Sequence, residues 1–300
     1  MNMRVKEFIL APMNLIYRIK PELSLKILYR LKTGRKLNLN NPRTYSEKVQ
    51  WLKLNYKNKL LPICADKYKV RQYVKKCGLE SILIKLLWQG YDPNDIPFHD
   101  LPEKFVIKVT HGSGWNIICK DKNQLNIPKT IKKLKRWLKE KYLPCYGEWF
   151  YGVIKPRVII EEYLDDGSGN APIDYKIFCF HGKPKYIAAH VDRFTNHRRK
   201  MYDLEWKPFP ITARYVDHNV HVEKPKELDK LLEYARILSK EFIHVRVDLY
   251  IVNSKIYFGE LTFADEAGFG TISPKEMEKK ISSWIRLPLR KEKKITDKKQ

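Results

Sequence analysis

Residues 244–263, HVRVDLYIVNSKIYFGELTF, carry the clearest indication of fold in this chain. Polar and apolar residues alternate over Val245–Val252 and again over Ile256–Phe263, which predicts two antiparallel strands. The residues between them, Asn253-Ser254-Lys255, favour a turn, so the stretch is interpreted as a hairpin. A three-residue loop would pair Val252 with Ile256, Tyr250 with Phe258, and Asp248 with Glu260.

The pair Asp248 and Glu260 is the part of the hairpin that predicts chemistry. Two carboxylates that face each other across antiparallel strands repel. A divalent cation reverses the sign of that interaction, because Mg²⁺ prefers carboxylate oxygens and often completes its shell with a substrate phosphate. We therefore predict a Mg²⁺ site here. The alternative is that both acids are solvated on an open face, with Arg246 and Lys255 as loose partners, since a one-residue slip would separate them.

The composition predicts a folded protein with an anionic partner. A chain of 300 residues with 43% hydrophobic content can bury a large core, in one large domain or in two to three lobes. Its net charge of +25 and pI of about 9.7 favour nucleic acid, acidic lipid, a nucleotide or an acidic polysaccharide as partner.

Cysteine usage and hydropathy predict a cytoplasmic protein. The five cysteines are scattered, form no CxxC pair and lack histidines at zinc-ligand spacing, which argues against a disulfide framework or a structural zinc site. We find neither a run of about 18 apolar residues nor the apolar core of a signal peptide.

The first 35 residues predict basic amphipathic helices, broken at Pro12 and Pro21, with Gly34 as a C-cap. Such helices can lie on an anionic membrane surface, at the inner face of the membrane in this case. More often they cover part of a core, and we expect that here.

The stretch Phe105–Cys119 predicts two strands around a glycine-rich loop. Gly112, Ser113 and Gly114 are small enough for their backbone amides to approach phosphate oxygens, and Lys108 precedes them on the first strand. The spacing matches neither GxGxxG nor a P-loop, and an ordinary hairpin loop explains it equally well.

The remaining elements are assigned from periodicity. The segment Asp192–Asp203 is dense in cations, which favours a solvated loop or, beside a phosphate site, a loop that holds an acidic acceptor. The other predictions are a helix after Thr44 or Ser46, a helix over 66–78, a strand over 82–84, a helix over 129–143, a strand over 157–164, a hairpin over 174–191, a helix over 226–242 and a short helix around 274–285.

In this order, several of these segments resemble the ATP-grasp superfamily, and more narrowly its TupA-like branch of teichuronopeptide and capsular polysaccharide biosynthesis proteins. The likeness covers about residues 38–288. The matching segments are the strand with Lys108, the glycine-rich loop, Val-Ile-Ile-Glu-Glu-Tyr, Asp-Tyr-Lys, Arg-Val-Asp, Gly-Glu-Leu-Thr, Asn-Pro-Arg-Thr-Tyr-Ser-Glu-Lys and Cys-Ala-Asp-Lys-Tyr-Lys-Val-Arg.

The resemblance implies an α+β ATP-grasp fold in which two α+β lobes hold a nucleotide between them. The implied segments are an N-terminal helical extension (1–60), a preceding helix and strand segment (61–104), a central lobe (105–164), a C-terminal lobe (165–290) and a basic tail (291–300).

The resemblance also implies a role for individual residues. ATP would be bound by Lys108, Gly112, Ser113, Gly114, Glu161, Glu162, Tyr163, Leu164, Asp165 and Lys176. Mg²⁺ would be bound by Asp248, Glu260 and Thr262. Lys176 and Arg246 would act on the transferred phosphoryl group. The cation density of Asp192–Asp203, rather than the resemblance, assigns Arg193, His197 and Arg199 to the acidic substrate. Many superfamily members carry Asn two residues after the metal-binding Glu, and Thr262 at that position puts a second metal ion in doubt.

The chemistry implied is ATP-dependent activation of a carboxylate as an acylphosphate, followed by attack of an amine. Positioning and electrostatic stabilisation accomplish this without a side-chain nucleophile. In the TupA-like branch the expected acceptor is a cell-envelope glycan with uronic acid, and the co-substrate an amino acid or amine.

Three alternatives remain at this point. A glycan or sugar kinase would share every residue of the ATP site. A glycosyltransferase is disfavoured by the lack of an Asp-x-Asp motif. A non-catalytic polyanion-binding protein would explain the charge but not the opposed carboxylates, and since we find no nucleic-acid-binding motif, we expect no nucleic acid partner.

Overall fold

A computed structural model describes residues 3–288 except 168, 170 and 194, and the predicted basic tail lies outside the described residues. This part of the chain forms nine α-helices and nine strands, which confirms the α+β class. The helices are α1 (Met3–Ile19), α2 (Pro21–Thr33), α3 (Tyr45–Asn55), α4 (Leu60–Ala65), α5 (Val70–Lys76), α6 (Ile127–Lys139), α7 (Trp149–Gly152), α8 (Leu228–Ser239) and α9 (Lys275–Ser283). The strands are β1 (Leu86–Gly90), β2 (Phe105–Val109), β3 (Asn116–Cys119), β4 (Val158–Glu162), β5 (Asp174–Phe180), β6 (Lys183–Val191), β7 (Arg198–Tyr202), β8 (His244–Val252) and β9 (Lys255–Thr262).

The strands form two antiparallel sheets. The first has the order β1-β4-β2-β3, and the second has the order β7-β6-β5-β8-β9. The first sheet packs its Phe105 and Ile107 side against Leu134 and Trp137 of α6. The division of the chain into the five predicted segments stays a prediction.

The second sheet is covered by helices on its back face and on half of its front face. Its back face packs against α8 through residues such as Ile177, Val247 and Leu231. Half of its front face, including Phe180 and Tyr186, packs against α2, α3 and α9. The other half of the front face carries charged side chains.

The hairpin of β8 and β9 keeps the predicted pair of carboxylates in a different register. The turn has two residues, Asn253 and Ser254, both with positive φ (50° and 58°), which is typical of a tight hairpin turn. The predicted loop and its first two pairs were therefore wrong. Val252 faces Lys255, and Tyr250 faces Tyr257.

A β-bulge at Gly259 restores the pairing of Asp248 with Glu260. The extra residue shifts the register by one, so both carboxylates lie on the same face of the sheet. A Cβ at position 259 would lie 2.8 Å from the ring of Tyr250 and 3.0 Å from the carbonyl oxygen of Asp248. Only glycine therefore fits the bulge without a local shift.

The N-terminal helices differ in how they pack. Gly34 is the predicted C-cap of α2. It has a φ of 72°, and its backbone N–H donates a hydrogen bond to the carbonyl oxygen of Arg30. Helix α2 buries Leu25 and Leu28, as expected for core cover. Helix α1 runs through Pro12 without a break, so the break predicted at Pro12 was wrong. None of the described side chains of α1 is fully buried.

Two further details differ from the sequence prediction. Residues Glu80–Ile82 form a turn of 3₁₀ helix, and the strand begins four residues later at Leu86, so the strand predicted over 82–84 was wrong. Thr44 is the N-cap of α3 and forms a capping box with Glu47, which confirms one of the two predicted caps.

His244 connects the second sheet to the N-terminal helices through a buried hydrogen-bond pair. Its Nδ1 lies 3.1 Å from the carbonyl oxygen of Cys179, and its Nε2 lies 2.9 Å from the hydroxyl of Tyr45. The neutral tautomer that donates from Nδ1 and accepts at Nε2 satisfies both contacts. Burial, only partly opposed by the bond to Cys179, lowers the pKa of His244 to about 4.

This buried histidine predicts a specific acid sensitivity. The unfolded chain takes up a proton at His244 near its ordinary pKa of 6.5, whereas the folded chain does so only near 4. Stability is therefore complete above 6.5 and falls as pH decreases, by on the order of 3 kcal/mol from this group. We expect His244→Gln to flatten this part of the pH dependence in urea unfolding, and an unchanged slope would contradict the assignment.

Candidate active site

One half of the front face of the second sheet brings four of the predicted residues together. Lys176 on β5 lies beside Asp248 on β8, and Asp248 lies beside Glu260 on β9. Arg246 is two residues before Asp248, so alternation of the strand places it on the same face. All four predicted residues therefore share one patch, here called the charged face.

Asp248 is the centre of the charged face. Its side chain is 1% exposed. Its Oδ1 accepts a hydrogen bond from Nε of Arg246 at 2.7 Å, and its Oδ2 accepts from Nη2 of Arg246 at 2.7 Å and from Nζ of Lys176. A carboxylate this deeply buried requires such cations. The alternative in which Asp248 is solvated was therefore wrong.

Arg246 extends the network to the end of β9 and the loop beyond it. Its Nη1 donates to Asp265, and its Nη2 lies 3.0 Å from the hydroxyl of Thr262 and 3.4 Å from Oε1 of Glu260. Burial opposes the charge, but Asp248 and Asp265 together hold the pKa of Arg246 well above its ordinary value. The guanidinium is permanently charged and fixed in orientation.

Glu260 differs from Asp248 in that its side chain is 38% exposed. Burial alone would raise its pKa, but the nearby Lys67, Lys176 and Arg246 lower it to about 2. The carboxylate is therefore ionised at neutral pH and open to a ligand on one side.

Two carboxylates of the charged face, Asp248 and Glu260, carry oxygen atoms of the kind that Mg²⁺ prefers. The described residues hold no group of three or more His, Cys, Asp or Glu side chains arranged to bind a metal. Mg²⁺ often binds through one or two carboxylates plus substrate phosphates. Glu260 is the member of this pair that is open to solvent, and Asp248 would have to exchange a contact with Arg246 or Lys176 for the ion. In addition, Oδ1 of the fully buried Asp174 has no hydrogen-bond partner in the described structure. The donor set is hard oxygen throughout, as Mg²⁺ prefers.

Asp174 links the charged face to the cation-rich loop, the segment between β6 and β7 that carries Arg193 and His197. The predicted solvated loop over Asp192–Asp203 was wrong in its second half, because Arg198–Tyr202 forms β7 and the side chains of Arg199 and Lys200 are buried. The Oδ2 of Asp174 lies 2.7 Å from Nζ of Lys176 and also accepts from Arg193. Lys176 is thus shared between Asp174 and Asp248, and its side chain is 5% exposed.

The predicted nucleotide residues of the first sheet include a second cation cluster. Glu161 on β4 lies 2.7 Å from Nζ of Lys108 and 3.0 Å from Nη1 of Arg71. Two cations share one carboxylate, so the cluster has an excess positive charge that favours a polyanion.

The other predicted nucleotide residues lie at or after the end of β4. Asp165 forms an ion pair with Lys104 at 2.5 Å, and Glu162 is exposed. Tyr163 and Leu164 follow β4 and are half-buried.

Lys67 joins the glycine-rich loop to the charged face. Its Nζ donates to the carbonyl oxygen of Gly112 at 2.7 Å and lies 3.8 Å from Oε2 of Glu260. Gly114 in the same loop has a φ of 76°. The loop Gly112, Ser113, Gly114 therefore lies beside the predicted metal ligand, which sequence spacing alone did not establish.

At the edge of the charged face, His197 of the cation-rich loop lies beside His190 of β6. Nε2 of His197 lies 2.8 Å from Nδ1 of His190, which is buried and has no described hydrogen-bond partner at Nε2. Burial, reinforced by Lys176 and Arg199, lowers the pKa of His190, and burial likewise lowers that of His197. Both imidazoles are therefore neutral at neutral pH.

Arg199 lies on β7 and faces a small cavity with Tyr45, Tyr186 and Asp265. It is 7% exposed, and its Nε has no hydrogen-bond partner in the described structure. Burial lowers its pKa, and Asp265 only partly offsets this. A buried guanidinium without full pairing is suited to an incoming anion.

Helix α3 fixes the loop that carries Asp265. Glu266 and Ala267 have positive φ (49° and 53°), which is costly for residues other than glycine. Gln50 donates to the carbonyl oxygen of Gly268 at 2.8 Å, and Lys53 donates to that of Ala267 at 2.5 Å. These bonds hold the loop in the conformation that presents Asp265 to Arg246.

Sequence reasoning did not select several residues of this site. Lys67 and Arg71 belong to the segment Cys-Ala-Asp-Lys-Tyr-Lys-Val-Arg, which contributed to the resemblance without a chemical role. Asp174 lies in Asp-Tyr-Lys, where only the lysine was assigned. Asp265 and His190 carry no local sequence signal that could have identified them.

A profile of the family described as TupA-like ATPgrasp matches residues 47–286. The chain belongs to the TupA-like ATP-grasp family. The match includes α3 from Glu47 onward, the glycine-rich loop and the whole charged face, and it confirms the resemblance and the fold.

Solved structures of ATP-grasp ligases resemble this TupA-like chain at low identity. D-alanine–D-alanine ligase from Bacillus anthracis complexed with ATP shares 16% identity over 67% of this chain and 55% of that one, with a TM-score of 0.43. N5-carboxyaminoimidazole ribonucleotide synthetase in complex with ADP shares 12% over 72% and 50%, with a TM-score of 0.44. L-amino acid ligase from Bacillus licheniformis shares 13% over 66% and 40%, with a TM-score of 0.39. The chain thus spans roughly half the length of these neighbours, and the family assignment does not depend on them.

Two further findings add nothing to the assignment of the TupA-like chain. No curated protein matches it significantly. Among the described helices, none combines the length and the apolar character needed to span a membrane.

Removing the charge of Asp248 and removing that of Glu260 should lower the stability of the protein by different amounts. Asp248→Asn leaves two buried cations short of their partner, and we expect a loss of about 3 kcal/mol in the free energy of unfolding. Glu260→Gln changes a partly exposed group, so we expect a loss of about 1 kcal/mol or less. Urea unfolding of both variants at neutral pH measures this difference, and equal losses would contradict the described burial.

Proposed function

We propose that this protein is an ATP- and Mg²⁺-dependent carboxylate–amine ligase. The observation that carries the proposal is the charged face, where Lys176, Arg246, Asp248 and Glu260 converge and Lys67 connects them to the glycine-rich loop. Membership of the TupA-like ATP-grasp family supports it. The predicted acceptor is an acidic cell-surface polysaccharide or its precursor, and the predicted co-substrate is an amino acid or amine.

The first step of the proposed reaction activates the carboxylate. A carboxylate oxygen of the acceptor attacks the γ-phosphorus of ATP, the bond between that phosphorus and the β–γ bridging oxygen breaks, and ADP leaves with the bonding electron pair. Negative charge is redistributed over the transferred group, and the fixed positive charges of Arg246 and Lys176 stabilise it. Mg²⁺, held by Asp248 and Glu260 with Thr262 beside them, would neutralise the phosphates.

The second step forms the amide. The amine nitrogen attacks the carbonyl carbon of the acylphosphate, the carbon–oxygen bond to the phosphoryl group breaks, and inorganic phosphate leaves while the nitrogen loses a proton. His197 lies at the edge of the charged face and would be the nearer candidate for this proton. Burial beside Lys176 and Arg199 lowers the pKa of His190 so strongly that this ring is a poor proton acceptor.

The nucleotide and the acceptor are assigned to opposite sides of the charged face. On the side of the first sheet, Lys108 and the glycine-rich loop would bind phosphates, and Glu161, Glu162, Tyr163, Leu164 and Asp165 would lie along adenine and ribose. On the other side, Arg193, His197 and Arg199 would bind the acidic acceptor. The unpaired Nε of the buried Arg199 supports this assignment.

The proposed substrates also suggest where the protein works. ATP is a cytoplasmic substrate, so a cytoplasmic location follows from the proposed reaction. A peripheral position at the inner face of the membrane concerns the N-terminal helices, which lie apart from the charged face.

Thermal stabilisation by ATP with Mg²⁺ tests the nucleotide site. A ligand that binds only the folded state raises its stability by mass action, and at a concentration of 100 times Kd the gain is about 2.7 kcal/mol. We expect an increase in Tm of a few degrees for the wild type and little or none for Glu260→Gln. This variant is preferred to Asp248→Asn because its own effect on stability is small.

The matched control is Glu233→Gln, the same substitution at an exposed position of α8 on the opposite face of the sheet. It should retain the full Tm shift. If the wild type shows no shift but binds a polyanion with an affinity that falls steeply with salt, the ligase proposal is wrong and the protein is a polyanion-binding protein.

Hydroxylamine distinguishes a ligase from a kinase. It attacks an acylphosphate to give a hydroxamate, whereas a phosphate ester of a sugar hydroxyl does not react in this way. We expect ATP-dependent hydroxamate with oligosaccharides of glucuronic or galacturonic acid, and a marked loss of it in Glu260→Gln. Release of ADP without hydroxamate, together with a phosphorylated glycan, would identify a kinase instead.

A further inference from the structure

The N-terminal helices expose an unusual amount of apolar surface. Eleven large hydrophobic residues are exposed in the described part of the chain, and seven of them lie in α1 and α2. Phe8 is 83% exposed, Ile19 and Leu31 are 73% exposed, and Leu15 is 60% exposed. Single exposed apolar residues are ordinary, but their concentration in one pair of helices indicates an interaction surface.

The exposed apolar residues of α1 lie on one face of the helix. Their positions 5, 8, 9, 15 and 19 follow the helical period. The opposite face is attached to the protein through the half-buried Leu10, Met13 and Tyr17.

Specific hydrogen bonds fix the orientation of α1. The side chain of Asn14 accepts from the amide of Cys145 at 3.0 Å. The carbonyl oxygen of Met13 accepts from the hydroxyl of Ser24 on α2 at 2.9 Å. These bonds hold the opposite face of α1 against the protein. The apolar face therefore points away from the core.

The same helices are strongly basic. Residues 3–33 contain seven Lys or Arg and two Glu. Arg18, Lys20, Lys26 and Arg30 are exposed. An apolar helix face flanked by lysine and arginine matches an anionic bilayer surface, where the apolar side chains enter the acyl boundary and the cations remain among the head groups.

We propose that the N-terminal hairpin, α1 with α2, docks the protein on an anionic lipid bilayer. This goes beyond the proposed ligase activity, since none of the residues involved belongs to the charged face. A second copy of the chain fits the surface less well. A symmetric dimer would place the same basic helices against each other, and their like charges would repel. An anionic bilayer complements both the charge and the apolar face.

Vesicle co-sedimentation of the full chain tests this proposal. We expect binding to vesicles of phosphatidylcholine with phosphatidylglycerol, weaker binding at high salt, and little binding to phosphatidylcholine alone. Phe8→Glu should weaken binding by at least about tenfold, because a charged side chain replaces an apolar group that would be buried in the bilayer. Arg18→Ser with Lys26→Ser should also weaken it.

The control is Val153→Glu, since Val153 is 63% exposed and lies outside the N-terminal hairpin. It should bind vesicles like the wild type. All variants alter exposed positions, and circular dichroism with the Tm shift by ATP and Mg²⁺ checks that folding and nucleotide binding are retained. If the ligase proposal is wrong, the wild type shows no Tm shift with ATP and Mg²⁺ but still binds vesicles. The two proposals can therefore be tested separately.

Three outcomes would overturn the proposal. One is that the wild type binds neither kind of vesicle. Another is that Phe8→Glu binds as well as the wild type while the serine variant does not, which would indicate adsorption through charge alone. The third is that light scattering without lipid shows a wild-type dimer that Phe8→Glu converts to a monomer, which would identify a second copy as the occupant.

Discussion

The pairing of Arg246 with Asp248 is the interaction on which the rest of the site depends. A carboxylate that is 1% exposed cannot remain charged without partners, and Arg246 and Lys176 supply them. Arg246 in turn requires Asp265 and lies beside Glu260 and Thr262. The network is therefore mutually supporting, because each charge on the sheet compensates another.

Elements from different parts of the chain hold the residues of this network in position. The bulge at Gly259 brings Glu260 opposite Asp248. The bonds from Gln50 and Lys53 hold the loop with positive φ that carries Asp265. Lys67 joins the charged face to the glycine-rich loop of the other sheet. Helix α3 is thus part of the support of the site, and the family match covers it from Glu47 onward.

The charged face and the N-terminal hairpin have different physical characters. The charged face combines buried ion pairs with the more exposed Glu260, an arrangement suited to polyphosphate and a divalent cation. The N-terminal hairpin combines an apolar stripe with exposed basic residues, an arrangement suited to a bilayer surface. Catalysis and location would then depend on different residues.

The sequence by itself determined the fold class, the family and most of the charged residues, because alternation, glycine spacing and the order of short motifs are local properties of the chain. It also paired Asp248 with Glu260, although through a three-residue loop that does not exist. The tertiary structure alone decided the actual turn and bulge, because register depends on the left-handed conformations of Asn253 and Ser254 and on the tight contact at Gly259. It also decided the partners Asp174, Asp265 and Lys67, since these come from distant segments and charge pairing across space leaves no periodic signal in the sequence.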